Sequence, residues 1–411
     1  MTTENQKTYK ILALDGGGFR GVMTAQILVA VEEEIKKKYS CALHEYFDLV
    51  TGTSTGSILA TGIALGKSAT DMLKLYKDNG DRIFPRWQRI RRRFRGLLTS
   101  AGLYNSKKGL GPVLKDKFGQ LAINRLSDEI PDAPVLLIPA YNLTERYTTW
   151  FCSNAPKNSP LWFDEIPIWQ ICTCSSSAPT FFPPFHLSGQ GRRITRKGTI
   201  DPINYNYFFT DGGIAVNNPA LIGIAHALLA PYHENVSAEK TAVTLRDIAV
   251  LSIGTGRPNE SFDGEKVGRW GAVKWVQQLP DLFMPAPNEV NASVCTQVIR
   301  HGDDKQAERV LRLDYALPSR EQYQTDPEYE HLRKDPIFSH VFPSDLDKLF
   351  LGKPKFGDID DPQLFAAYKK FAQYYLDGNL REKDLTRTRI KIEKDMAPKK
   401  AIANFIEYNK Y

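Results

Sequence analysis

Residues 47–66 read FDLVTGTSTGSILATGIALG. A short apolar run gives way to a serine between two glycines and then to a second apolar run with helical spacing. No other stretch constrains the fold as much, because a strand must become a helix within five residues. Such a turn forces its central residue into a strained backbone conformation and pushes the side chain out of the sheet. The flanking glycines remove side chains that would collide there. Ser54 then stands at the N-terminus of the helix, where backbone N–H groups lack partners and negative charge is favoured. Gly52-Thr53-Ser54-Thr55-Gly56 has the G-x-S-x-G form of a nucleophile elbow. The alternative for these residues is a glycine-rich turn with Ser54 as a helix N-cap.

The surroundings repeat the strand-to-helix order. YKILAL (9–14) reads as a strand that runs into glycines, and GVMTAQILVAVEEEIKKKY (21–39) follows with helical periodicity. TDMLKLYKDNGDRIF reads as a helix with Thr70 as its N-cap, and NPALIGIAHALLA as one opened by Asn218 with Pro219 in the first turn. APVLLIPAYNL, RYTTWFCS, YNYFFTDGG and LRDIAVLSIGTG read as strands. Several strands are apolar on both faces, so the expected fold class is α/β, with a mainly parallel sheet covered by helices. At 411 residues, 42% hydrophobic and 25% charged, the chain has ample material for one large core. Beyond about Leu317 the sequence turns polar and turn-rich. This segment reads as a mostly helical extension packed on the main domain, with a separate small domain as the alternative.

A second glycine cluster, LALDGGGFRG, places Gly16, Gly17, Gly18 and Gly21 directly after a strand and before a helix. A serine nucleophile needs N–H donors aimed at the tetrahedral oxyanion, and consecutive glycines let the backbone approach a substrate and present them. Arg20 would brace that loop. Gly16-x-Gly18-x-x-Gly21 also matches a dinucleotide-binding fingerprint, but the next strand ends in VTGTSTG, without the acidic residue that would hold a ribose. No Lys-Ser/Thr follows the glycines, which excludes a Walker phosphate loop.

The third cluster, FFTDGGIAVNNP, puts Asp211 at a strand end before Gly212 and Gly213. A serine hydroxyl needs a base to take its proton. Of the seven histidines, none has a comparable strand-end, glycine-flanked setting, so Asp211 is the candidate base for Ser54. Its alternative is a turn aspartate bonding its own backbone.

The five cysteines are odd in number and scattered, which argues against a disulfide framework and for a reducing compartment. Cys172 and Cys174 lack the nearby partners of a zinc site, and no acidic calcium loop is evident. No stretch reaches the ~20 apolar residues that span a bilayer, and the polar N-terminus lacks the order of a secretory signal. The net charge of +7 is uneven: residues 82–115 carry seven Arg, three Lys and no acid. Arg86, Arg91, Arg92, Arg93 and Arg95, interleaved with Trp87 and other apolar residues, read first as a membrane-surface patch, then as a solvated or internal charged stretch, and last as a nucleic-acid patch.

The three clusters together, in this order, resemble the patatin-like phospholipase family. Its members share a D-G-G-G-x-R-G loop (here Asp15 to Gly21), a G-x-S-x-G elbow (Gly52 to Gly56) and a D-G-[AG] motif (Asp211 to Gly213). SSSAPTFFPP (175–184) and the later AVLSIGTG also look like family segments. The signatures cover roughly residues 11–220, and nothing departs from the pattern at the motif residues. The resemblance implies a three-layer α/β/α fold and a catalytic domain over 1–316, with 317–411 as the extension. It implies a lipid acyl hydrolase of phospholipase A type, acting on phospholipid or galactolipid through a Ser54–Asp211 dyad. The oxyanion hole would be formed at Gly16, Gly17 and Gly18, with Arg20 supporting the loop. It implies no metal or other cofactor, no nucleic-acid partner and a cytoplasmic protein peripheral at the membrane, with a small-molecule activator as an added regulator. The alternative is a non-hydrolytic nucleotide-binding or regulatory protein that uses the same glycine loops.

Overall fold

The computed structural model describes residues 8–86, 88, 104–155, 159–195, 198–233, 243–258, 264–271, 285–300, 308–344, 355–380 and 396–410. Its frame is an eight-stranded sheet built from β1 (Tyr9–Leu14), β2 (Leu49–Gly52), β3 (Val135–Asn142), β4 (Tyr147–Cys152), β5 (Phe185–Ile194), β6 (Ile200–Thr210), β7 (Ile248–Ile253) and β9 (Val310–Leu313). A separate two-stranded pair joins β8 (Arg257–Pro258) to β10 (Ala316–Leu317). The order is β5-β6-β3-β2-β1-β7-β9, with β4 also paired to β3. From β9 to β3 every neighbouring pair is parallel, while β4, β5 and β6 are joined antiparallel. The central strands are buried almost throughout: Ile11, Leu12, Leu14, Leu49, Val50, Val250 and Leu251 are fully inaccessible. Strands apolar on both faces need covering on both faces.

Helices supply that cover. The long α1 (Gly21–Tyr39) follows β1, α2 (Thr55–Ala64) follows β2, and α3 (Ala69–Ile83) packs beside α1. With α4 (Ile168–Ser175), α2 lies against β3. On the other face, Gly223 of α5 (Ala220–His233) meets Ile11, Leu49 and Thr51 directly, and α6 (Pro285–Arg300) packs outside α5. The start of α3 differs from the sequence expectation. Ser68, not Thr70, is its N-cap, because Ser68 and Asp71 form a reciprocal capping box three residues apart.

The C-terminal residues return to α1. Both α7 (Phe365–Leu376) and α8 (Pro398–Tyr408) pack on it. Gln26 donates to Gln373 at 3.2 Å, and Tyr39 donates its hydroxyl to the Ile406 carbonyl at 3.0 Å.

One detail of topology sets up the site. β3 has two edges, and β4 fills one of them along 137–142. The other edge is shared: β2 occupies 135–137, and β6 occupies 141–142 running the opposite way. Strands β2 and β6 therefore meet head to head, and the residues that follow their ends converge.

Candidate active site

Ser54 follows the end of β2 with φ 54° and ψ −124°, a left-handed backbone for a residue that is not glycine. Such conformations cost about 1–3 kcal/mol and persist only where surrounding contacts hold them. Here Thr53 is fixed by its N–H to the Leu14 carbonyl (3.1 Å) and its hydroxyl to the Val216 carbonyl (2.6 Å). The Ser54 N–H donates to Ser175 Oγ at 3.0 Å, and Ser57 Oγ donates to the Ser54 carbonyl at 2.6 Å. A side chain at Gly52 would strike the Gly56 carbonyl, and one at Gly56 the Leu14 carbonyl, so both glycines are needed for the turn to close. Ser54 occupies the N-cap position of α2, but its side chain makes no capping bond. Behind the turn, the Thr55 and Tyr76 hydroxyls are paired in the core.

Asp211 arrives from β6. Its N–H donates to the Ser177 carbonyl at 3.0 Å, and its Oδ1 accepts from the Gly213 N–H at 2.7 Å. The turn-aspartate role is thus real, and it leaves the other side of the carboxylate toward Ser54. Burial pushes the Asp211 carboxyl up to about 6, against hydrogen bonds from the Ser54 side chain and the Gly213 amide that pull it down. Among the described residues no cation stands beside it. The end of α4 and the residues after it space the pair: Ser175 grips the Ser54 amide and the Pro139 carbonyl (2.7 Å), while the Ser177 carbonyl holds Asp211 and Thr210.

The glycine loop lies alongside. The Gly16 N–H donates to the Asn217 carbonyl at 3.2 Å and so is not available to an oxyanion, contrary to a donor role for Gly16. Its carbonyl accepts from Thr255 Oγ1 at 2.8 Å. The amides of Gly17 and Gly18 have no acceptor among the described residues, and the same holds for Thr55, the first residue of α2. A side chain at Gly17 would overlap Thr255, and Gly18 takes φ +58° against the Ile359 carbonyl. Arg20 reaches the Gly17 carbonyl at 3.5 Å.

Two supports of the site, Arg312 and residues 359–360, lie outside the motifs. Asp15, which opens the glycine loop, is held bidentately by Arg312 of β9, at 2.8 and 2.5 Å. Arg312 also contacts Ser252 at 2.7 Å and Asp314 at 3.0 Å. The sequence signal was one arginine inside the buried strand VLRL, which requires a buried acid. From the C-terminal region, the Ile359 carbonyl accepts from the Phe19 N–H at 2.7 Å, and Asp360 accepts from the Tyr104 hydroxyl at 2.7 Å.

The remaining sequence candidates lie elsewhere. Arg86 is exposed, while Trp87, Arg91, Arg92, Arg93 and Arg95 fall outside the described residues. His226 bonds Asn154 at 2.8 Å, and His186 stacks on Phe208. All five cysteines are unbridged and buried. Among the described residues there is no group of His, Cys, Asp or Glu that would hold a metal, and no helix long and apolar enough to cross a membrane.

The arrangement offers a strained serine, a desolvated carboxylate and three amides without an acceptor among the described residues, at the carboxyl ends of β1, β2 and β6. The profile of the family described as Patatin-like phospholipase matches residues 12–224. A Solanum tuberosum protein named "Probable inactive patatin-3-Kuras 1" is 25% identical over 295 residues, 68% of this chain and 72% of its own length. The "cGAMP-activated phospholipase" of Vibrio cholerae is 30% identical over 257 residues, 60% of this chain and 64% of its own. Among solved structures, human GIVD cytosolic phospholipase A2 covers 98% of this chain and 64% of that one, at 10% identity and a TM-score of 0.41.

Proposed function

The chain belongs to the patatin-like phospholipase family, and from that premise we propose that it hydrolyses ester bonds of membrane lipids through a Ser54–Asp211 dyad. Asp211 accepts the Ser54 proton as Oγ attacks the ester carbonyl. The N–H groups of Gly17, Gly18 and Thr55 hold the tetrahedral oxyanion. Collapse expels the lipid alcohol, which takes the proton from Asp211. A water that gives its proton to Asp211 then attacks the acyl-serine and releases the fatty acid. A carboxylate serves here without an imidazole because burial has raised its basicity toward the working pH. The observation that carries this reading is the Asp211 carboxylate, buried with no cation beside it among the described residues and hydrogen-bonded by the Ser54 side chain.

The substrate class is phospholipid or galactolipid, with cleavage of phospholipase A type at the bilayer surface. The name of the Vibrio cholerae relative supports adding a small-molecule activator, so hydrolysis is to be measured with and without a cyclic dinucleotide.

Ser54→Ala tests the reading. Hydrolysis of a phospholipid and galactolipid panel is expected to fall by roughly 10⁴-fold or more. Labelling by a fluorophosphonate probe should disappear, with the melting temperature held. A folded Ser54→Ala protein with full turnover overturns the dyad and favours a binding protein.

A further inference from the structure

The hairpin β5–β6 does more than bring Asp211 to the site. Its inner half is anchored: Tyr205 and Tyr207 pack on Trp162, with ring centroids 5.1 and 5.0 Å apart, and Phe209 stacks on it as well. Beyond Gly191 and Ile203 that packing ends. Residues 192–194 and 198–202 are exposed on both faces of the ribbon. The ribbon keeps its register there, with Ile194 opposite Ile200, Arg193 opposite Asp201 and Arg192 opposite Pro202. Its turn is held by Thr195 N–H to the Thr199 carbonyl (2.8 Å) and by a 2.8 Å bond between the two threonine hydroxyls.

Direction matters as much as exposure. Because β6 runs antiparallel to β3 and pairs with it only at Tyr141 and Asn142, the residues before Phe208 extend past the carboxyl end of β3. At about 3.3 Å per residue, the tip lies roughly 25 Å beyond that end. It projects from the same end of the sheet that carries Ser54.

We propose that this tip, residues 192–195 and 198–202, docks the protein on an anionic lipid bilayer. A single exposed isoleucine is ordinary. Here two face each other across the ribbon, at 44% and 49% exposure. Cross-strand neighbours lie about 5 Å apart, so together they form one apolar end. Among the described residues of the tip, Arg192 and Arg193 are exposed beside the isoleucines, against the single acid Asp201. Aliphatic groups flanked by cations match the two layers of an anionic surface. Lipid phosphates meet the guanidinium groups, and the isoleucines reach the acyl boundary. The catalytic reading gives the docking its purpose, but the docking can be measured without catalysis.

The experiment uses the full chain in a Ser54→Ala background, so that vesicles stay intact. Flotation is compared on phosphatidylcholine vesicles with and without phosphatidylglycerol. Arg192→Gln with Arg193→Gln should weaken binding to phosphatidylglycerol-containing vesicles by about five-fold per charge, and should not change it on phosphatidylcholine alone. Ile194→Ser with Ile200→Ser should weaken binding to both. Parent binding should fall as salt rises. Unchanged circular dichroism and melting confirm that these exposed substitutions leave the fold intact. Absent binding by the parent, or equal binding by parent and both variants, overturns the proposal. So does a change in sedimentation mass with vesicle binding intact, which makes the ribbon a contact between copies. If the chain with Ser54 present binds vesicles but cleaves neither phospholipid nor a soluble ester, the hydrolase reading fails and the docking stands.

Discussion

Asp211 and Asp15 are two buried aspartates, each at the end of a strand and each beside a glycine loop. Burial raises both carboxyls. Among the described residues Asp211 has a hydroxyl and an amide for company, so on the proposed mechanism its raised basicity remains available to the Ser54 proton. Asp15 faces the bidentate guanidinium of Arg312, itself shared with Asp314. The same desolvation thus yields the proposed base in one place and a brace in the other, and the partner decides which. A raised pKa alone would nominate both.

The comparison breaks most visibly at Asp211→Asn. Turnover should fall by roughly 10⁴-fold, as for Ser54, because no other group takes the proton. Stability should move the other way. The folded-state value of about 6 lies above the ordinary 3.8, so the folded chain holds the proton more tightly and loses stability as pH rises through that window. Removing the charge should therefore raise stability at pH 7, by an amount on the order of 1–3 kcal/mol, measured as melting against pH. Full activity in Asp211→Asn would remove the distinction between the two sites.

Asp15→Asn should act on the fold instead. It leaves a buried guanidinium short of a partner, at a cost of about 3–5 kcal/mol in denaturant unfolding. Pairing it with Arg312→Met should recover much of that loss, since an apolar side chain needs no counter-ion. If Asp15→Asn keeps its stability and loses only chemistry, Asp15 is not a brace.

The smallest effect sharpens the assignment. On a soluble ester, kcat/KM should fall about tenfold for each pH unit below about 6, as Asp211 takes up its proton. The midpoint should be the same in Asp15→Asn. A midpoint that moves with Asp15 would assign the titration to the wrong carboxylate.

What the sequence made legible were positions where backbone geometry dictates the residue. Gly52 and Gly56 admit no side chain, and Gly18 needs its left-handed backbone. Ser54 and Asp211 stood out because these turns surround them. Groups that act through a generic atom did not show their roles, even inside the segment SSSAPTFFPP. Ser175 contributes a hydroxyl, Ser177 and Ile359 contribute carbonyls, and no residue type marks those roles. Arg312 did leave a signal, a charge inside an apolar strand, but its partner lies 297 residues away in sequence. Strand β5 was missed because its outer half is exposed on both faces and so lacks the alternation that marks a half-buried strand.

The Ile359 carbonyl that seats Phe19 has a consequence for synthesis. A nascent chain contains Ser54, the glycine loop and Asp211 long before it contains the residue that holds the loop beside them. The 148 residues separating Asp211 from Ile359 take roughly 7–30 s to add at typical elongation rates of about 5–20 per second. On the proposed mechanism, Ser54 and Asp211 are therefore without a seated loop until that segment has emerged and folded back.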